Sequence, residues 1–186
     1  MMNPIIILML LTSVFTGVVQ PYDVNIFSDA IVQTGHGEAL WYTPRVATTP
    51  LKNAPYGWKG ATSCFPPIYS GVIYINPKLD KNEIPITVMH ELIHLHNGCR
   101  GAEYITELET LDVLAFLNRK QDVFLDLIIK LKGAGRKDLP YSIIKEYYLK
   151  PVNYILYNKS LKNEYPYLYN LIIDIGLIER EWDGKK

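Results

Sequence analysis

The stretch Val88-Met-His-Glu-Leu-Ile-His-Leu-His96 carries His90 and His94 four residues apart, with Glu91 directly after the first. On an α-helix, residues four apart differ by about 40° around the axis, so both imidazoles project from one face and can share a metal ion. Glu91 lies roughly 60° from His94 on the same wheel, beside the metal position. There a carboxylate can take a proton from an activated water, the chemistry of the H-E-x-x-H pattern. A purely structural metal site has no use for that carboxylate. Glu91 therefore separates hydrolysis from the rival reading, a non-catalytic zinc-binding or protein-interaction module.

The residues around the motif support a cleft-facing wedge. Glu83, Thr87, His90, Glu91, His94 and Asn97 share one polar sector of the wheel. Ile84, Val88, Leu92 and Leu95 fill one flank, and Ile86, Met89 and Ile93 the other, so most of the helix is apolar. The wedge holds no lysine, unlike an ordinary solvated face. His96 falls on a different side and reads as an imidazole at the helix C-terminus, not as a ligand.

A catalytic zinc needs a third protein ligand and an open position. Asn97 and Arg100 stand where a Gly and a third His would extend the motif, so the ligand is expected to be a carboxylate of the next helix. If the short connection makes an antiparallel hairpin, folding about residues 99 and 100 sets His94 level with 105 and His90 level with 109. Glu103 then lies too near the turn, and Glu107 and Glu109 remain. Both sit among apolar neighbours, where an unpaired carboxylate is costly.

The strand-like Gly71-Val-Ile-Tyr-Ile-Asn76, then His90-Glu-Leu-Ile-His94, then the glutamate-bearing Thr106-Glu-Leu-Glu-Thr-Leu-Asp-Val-Leu-Ala115 resemble a small gluzincin-type zinc metallopeptidase. Thr106–Ala115 is similar to the E-x-E-A-D glutamate helix of that group. Matching the first Glu to Glu107 makes it the third ligand beside His90 and His94. Thr110 and Leu111 then stand where the family has Ala and Asp, and Asp112 is one place late; Glu109 is the alternative ligand. The resemblance spans residues 71 to about 118. It implies Zn2+ as cofactor, Glu91 as general base and a peptide or protein as substrate. It also implies that Val72–Ile75 is the edge strand that holds substrate, and that a separate residue stabilises the oxyanion. Tyr104, Tyr74, His36 and Arg100 are the candidates for that role.

The elements that must position these groups read as an α+β chain. Residues 22–67, rich in Pro, Gly, Thr and aromatics, are expected to be irregular with two or three short strands. Residues 71–76 form the clearest strand, closed by Pro77. The active-site helix begins near Asn82 as N-cap, with Pro85 in its first turn, and stops at Asn97-Gly98. A second helix is expected from about Ala102 to Arg119, packed on the first as a hairpin. The C-terminal part, about 121–186, reads as helices over Gln121–Lys132, Ser142–Asn158 and Leu161–Ile178.

Residues 21–186 suit a single domain. Lysine plus arginine balance aspartate plus glutamate at 19 each, so the formal net charge is zero and nothing points to nucleic acid. Most of the 14 tyrosines read as core-edge side chains with the hydroxyl at water. Ile5–Val19 is an uncharged apolar run that spans roughly 22 Å as a helix, short of the ~30 Å of a bilayer core. Residues 1–20 are therefore expected to be a signal peptide, with a short membrane anchor as the alternative. Membrane contact is expected only through that run, and the protein is expected to be secreted or extracytoplasmic. Export permits a disulfide between Cys64 and Cys99, which flank the expected strand and the active helix.

Overall fold

A computed structural model describes residues 22–51, 54, 57–62 and 71–177. The apolar run at the N-terminus, Cys64 and the last residue of the expected Leu161–Ile178 helix lie outside them. Among the described residues, no helix is long and apolar enough to cross a membrane.

The fold is α+β, as expected. Helix α1, Val24–Thr34, replaces part of the irregular segment anticipated at 22–67. Asp23 caps it, with Oδ1 accepting from the backbone N–H of Asn25 at 2.9 Å and of Ile26 at 3.2 Å. Gly35 ends it at φ 78°, a left-handed turn that glycine takes without strain. Phe27, Ala30 and Ile31 are its buried residues, and their spacing of three and four is that of one helix face.

Three short strands follow: β1 (Arg45–Thr48), β2 (Gly60–Thr62) and β3 (Val72–Ile75). Their order is β1-β3-β2, with β1 parallel and β2 antiparallel to β3. The sequence expectation of an edge strand at 71–76 is corrected here. Ile73 and Ile75 are fully buried, and a strand that drives two isoleucines into the core is the one that gains from neighbours on both sides. The edge beside the helix that carries His90 and His94 is β2, which packs on that helix.

Helix α2, Ile84–His96, has Pro85 in its first turn and buries Val88, Met89, Leu92, Ile93 and Leu95. Asn82 is not its cap; Glu83 takes that position and pairs with Lys59 at 2.7 Å. Helix α3, Glu103–Phe116, packs against α2 after a six-residue junction. Leu108, Leu111, Val113 and Leu114 join the common core, as do Val123 and Leu127 of α4, Lys120–Ala134.

The expected helix at 142–158 is present but not uniform. It consists of α5 (Tyr141–Ile143), a π-helical segment π1 (Ile144–Leu149) and α6 (Lys150–Tyr157). The last expected helix breaks at Pro166, whose ring lacks the N–H needed to continue a helix. It becomes α7 (Leu161–Glu164) and α8 (Pro166–Asp174). Buried Asp112 on α3 ties α8 to the core: Oδ1 accepts from the backbone N–H of Leu168 at 2.7 Å, and Oδ2 lies 2.8 Å from Nε2 of His36.

Candidate metal centre

The polar wedge of α2 faces a cleft of about 760 Å3 between β2, α2, the start of α3, α4 and π1. At its floor, Nε2 of His90 and Nε2 of His94 stand 3.0 Å apart. Glu103 Oε2 lies 3.1 Å from the first and 3.4 Å from the second. Three such atoms around a common centre are the group that could hold a metal ion. Tetrahedral coordination with bonds near 2.0–2.1 Å sets ligand atoms about 3.3 Å apart. The three separations bracket or approach that value. Hydrogen bonding alone satisfies the triangle poorly, because one proton can serve only one of its edges at a time.

Glu103 is thus the carboxylate gathered with both histidines, whereas the sequence pointed to Glu107, with Glu109 as alternative. The hairpin count fails at the junction. Gly98 and Cys99 both have φ of 60°, Gly101 has φ of 115° and Ala102 is extended. Left-handed residues in succession redirect the chain, so level along α3 is no longer set by counting residues from the turn. Glu103 also opens α3, where a negative side chain suits the positive end of the helix dipole.

Glu107, one turn further along α3, stands behind His90 with Oε1 3.8 Å from Nδ1. Its other oxygen pairs with Lys130 of α4, which also pairs with Asp126 one turn before it. Lys130 and Asp126 are almost wholly buried, so this is a charged cluster inside the fold. Glu109 points elsewhere and accepts a hydrogen bond from Asn97 Nδ2 at 3.2 Å.

The electrostatics follow from this crowding. Burial pulls the His90 pKa down, but Glu107, then Glu103 and Glu91, outweigh it and hold it up at about 9. Burial raises the Glu103 carboxyl, yet the hydrogen bonds to His90 and His94 bring it well below the usual carboxylate range. For Glu107, burial is likewise overcome, by Lys130 first and His90 next. Glu91 is the exception: burial raises its pKa and the two imidazoles only partly offset that. Below about pH 9 His90 is therefore held as a cation by the carboxylates around it, a positive charge that a bound metal ion would replace, while burial favours the protonated form of Glu91.

Strand β2 fixes Glu91 in place. A Cβ at Gly60 would sit 2.6 Å from Thr87 Cγ2 and 2.9 Å from both Cγ and Oε1 of Glu91. Only a residue without a side chain lets the strand come this close.

Residues proposed for oxyanion stabilisation are placed differently. His36 is held by Asp112, and Tyr104 lies under Lys150, whose Nζ is 4.6 Å from its ring centre. Neither these two nor Tyr74 and Arg100 are among the described residues lining the cleft. Tyr147 lines it instead, from the π-helical turn. Burial raises its pKa, and Glu103, Glu107, Glu146 and Glu91 raise it further, so the phenol keeps its proton and remains a donor. In the sequence it was one tyrosine among many. The Asp126–Lys130 pair left a signal, since charges four apart amid Leu125, Leu127, Ile129 and Leu131 imply a buried pair.

His96 faces away from this centre, as its wheel position implied. Burial lowers its pKa, with the carbonyl of Glu38 acting in the opposite sense. It is thus a neutral ring rather than a cation at the helix end. Cys99, immediately beyond α2, is disulfide-bonded; the pairing expected with Cys64 involves a residue outside those described. No protein-family model matches the sequence, and no curated protein or solved structure matches it either.

Proposed function

We propose that the protein is a zinc-dependent metallopeptidase of the small gluzincin type, with a peptide or unstructured protein segment as substrate. The observation that carries the reading is the triangle of His90 Nε2, His94 Nε2 and Glu103 Oε2 with buried Glu91 beside it. Two imidazoles and a carboxylate are a donor set suited to zinc, with a further position left for water or substrate. When bound there, zinc supplies Lewis-acid polarisation of the scissile carbonyl and of the attacking water.

The chain's own residues do the rest. Glu91 takes the proton of the attacking water and passes it to the departing amine. Burial raises its pKa, which makes it a stronger base for that exchange. Tyr147 donates a hydrogen bond to the substrate oxygen as negative charge develops on it. Glu107, held by Lys130, lies on the Nδ1 side of His90 and keeps Nε2 turned towards the metal position. The outer edge of β2 aligns an extended peptide by main-chain hydrogen bonds across the cleft. The disulfide at Cys99 and the N-terminal apolar run support an extracytoplasmic location.

The test is loss and recovery. Purified protein should contain about one zinc per chain, lose cleavage of an unfolded protein substrate on dialysis against chelator, and regain it with added zinc. A chain that binds zinc tightly but cleaves nothing across a broad panel supports the non-catalytic module instead.

A further inference from the structure

The charged side chains that line the metal-centre cleft are already matched to one another. Lys59 pairs with Glu83, Lys130 with Glu107 and Asp126, and Arg136 with Asp138 beside the cleft. Glu103 stands against His90 and His94. Among the described lining residues that leaves Glu91, which the proposed reaction uses. A charged side chain entering the cleft would find no opposite charge to spare, and shedding its water without a partner is costly.

The side of the cleft built by α4, π1 and the chain between them has the opposite character. Ile129, Leu139, Ile143 and the rings of Tyr147 and Tyr148 line it. Ile143 is 39% exposed and Tyr147 38%, so two large apolar side chains stand open to solvent inside a hollow. They are four residues apart, about one turn, and the hydroxyl of Tyr147 is the only polar part of the pair.

This wall is held in place from behind. Tyr148 lies so close over Gly133, in the last turn of α4, that a Cβ there would sit 2.1 Å from its ring. Glycine weakens a helix, and here its bare backbone is what lets the ring pack on α4. A π-helical turn also spaces successive side chains more narrowly around its axis than an α-turn does. Tyr147 and Tyr148 can therefore both reach the cleft from consecutive positions.

We propose that this wall is a specificity subsite that takes a large apolar side chain of the substrate, leucine-sized or bigger, and rejects charged ones. Covering Ile143 and Tyr147 removes apolar surface from water, and the matched charges around them offer a charged side chain nothing in return. The assignment rests on the metallopeptidase reading and names its substrate class: unfolded segments with a bulky apolar residue close to the scissile bond. Ile143 is the specificity-determining residue, since it lines the wall and lies outside the metal triangle, Glu91 and Tyr147.

The test reads binding, so it does not depend on hydrolysis. Zinc-loaded Glu91→Gln protein is titrated calorimetrically with three blocked glycine pentapeptides that carry leucine, alanine or aspartate at the centre. The leucine peptide should bind at least about 10-fold more tightly than the alanine peptide, and the aspartate peptide more weakly than either. Adding Ile143→Asp should reduce the leucine preference by about five-fold or more, whereas Ile26→Asp, at a 54% exposed isoleucine of α1, should leave it intact. Equal affinity for leucine and alanine, tighter binding of aspartate, a preference unchanged by Ile143→Asp, or no binding of the leucine peptide at millimolar concentration would each overturn the proposal. Cleavage of an unfolded substrate by wild type decides the metallopeptidase reading separately: a leucine preference without cleavage keeps the subsite and removes the peptidase.

Discussion

Glu103 Oε2 lies 3.1 Å from His90 Nε2, although Glu103 is the first residue of its helix and His90 is midway along the one before. That contact makes Glu103 the carboxylate that could complete a metal triangle with the two histidines. Glu103→Gln should lower zinc affinity by more than the roughly 10–100-fold typical of a supporting residue. Glu107→Gln should fall within that range and Glu109→Gln should have no effect. Competition against a chromophoric chelator measures all three. Wild-type affinity in Glu103→Gln, with loss in Glu109→Gln, would return the ligand to the later part of α3.

Lys130 holds two carboxylates, Glu107 and Asp126, in a place that water hardly reaches. Lys130→Met would leave Asp126 without its partner and Glu107 with only His90. Removing one partner of a buried ion pair costs about 3–5 kcal/mol, and the denaturant midpoint should drop accordingly. A variant as stable as wild type would mean that the cluster is hydrated and its charges only loosely held.

Gly60→Ala probes the approach of β2 to Glu91. Overfilling a tight contact costs about 1–3 kcal/mol. The variant should also hydrolyse substrate more slowly while keeping its zinc, since the atoms nearest the new methyl group belong to Thr87 and Glu91. Unchanged stability together with unchanged activity would place the strand further from the helix.

Tyr147→Phe removes only a hydroxyl. If that group stabilises developing negative charge, kcat should fall by up to about 10²–10³-fold, with zinc content and KM little changed. A rise in KM alone would make Tyr147 a residue that binds substrate equally before and during reaction.

Helix α2 was legible in the sequence because its pattern is local: apolar residues on two flanks, Pro85 in the first turn, and one lysine-free wedge holding His90, Glu91 and His94. The gathering of Glu103 with the two histidines was not legible. It depends on left-handed backbone at Gly98 and Cys99, and residue types at those positions do not give the direction in which α3 departs. Helix α1 carried readable signals in Asp23, Gly35 and the Phe27, Ala30, Ile31 spacing, obscured by the Pro- and Thr-rich run after it. The central place of β3 depends on partners far away in the chain, Arg45–Thr48 and Gly60–Thr62, each too short to announce itself. Tyr147 depends on a π-helical turn, which has no distinctive composition.

Glu91→Gln is the most direct test of a hydrolytic centre on this helix. Glutamine keeps the size and hydrogen-bonding capacity of the side chain beneath Gly60 but cannot accept a proton. Cleavage of an unfolded protein substrate is compared between wild type and variant, with bound zinc measured in both. The account predicts equal zinc, equal thermal stability and a rate lower by about 10²–10⁴-fold in the variant. Equal rates at equal zinc content would contradict it, because proteolysis would then proceed without Glu91.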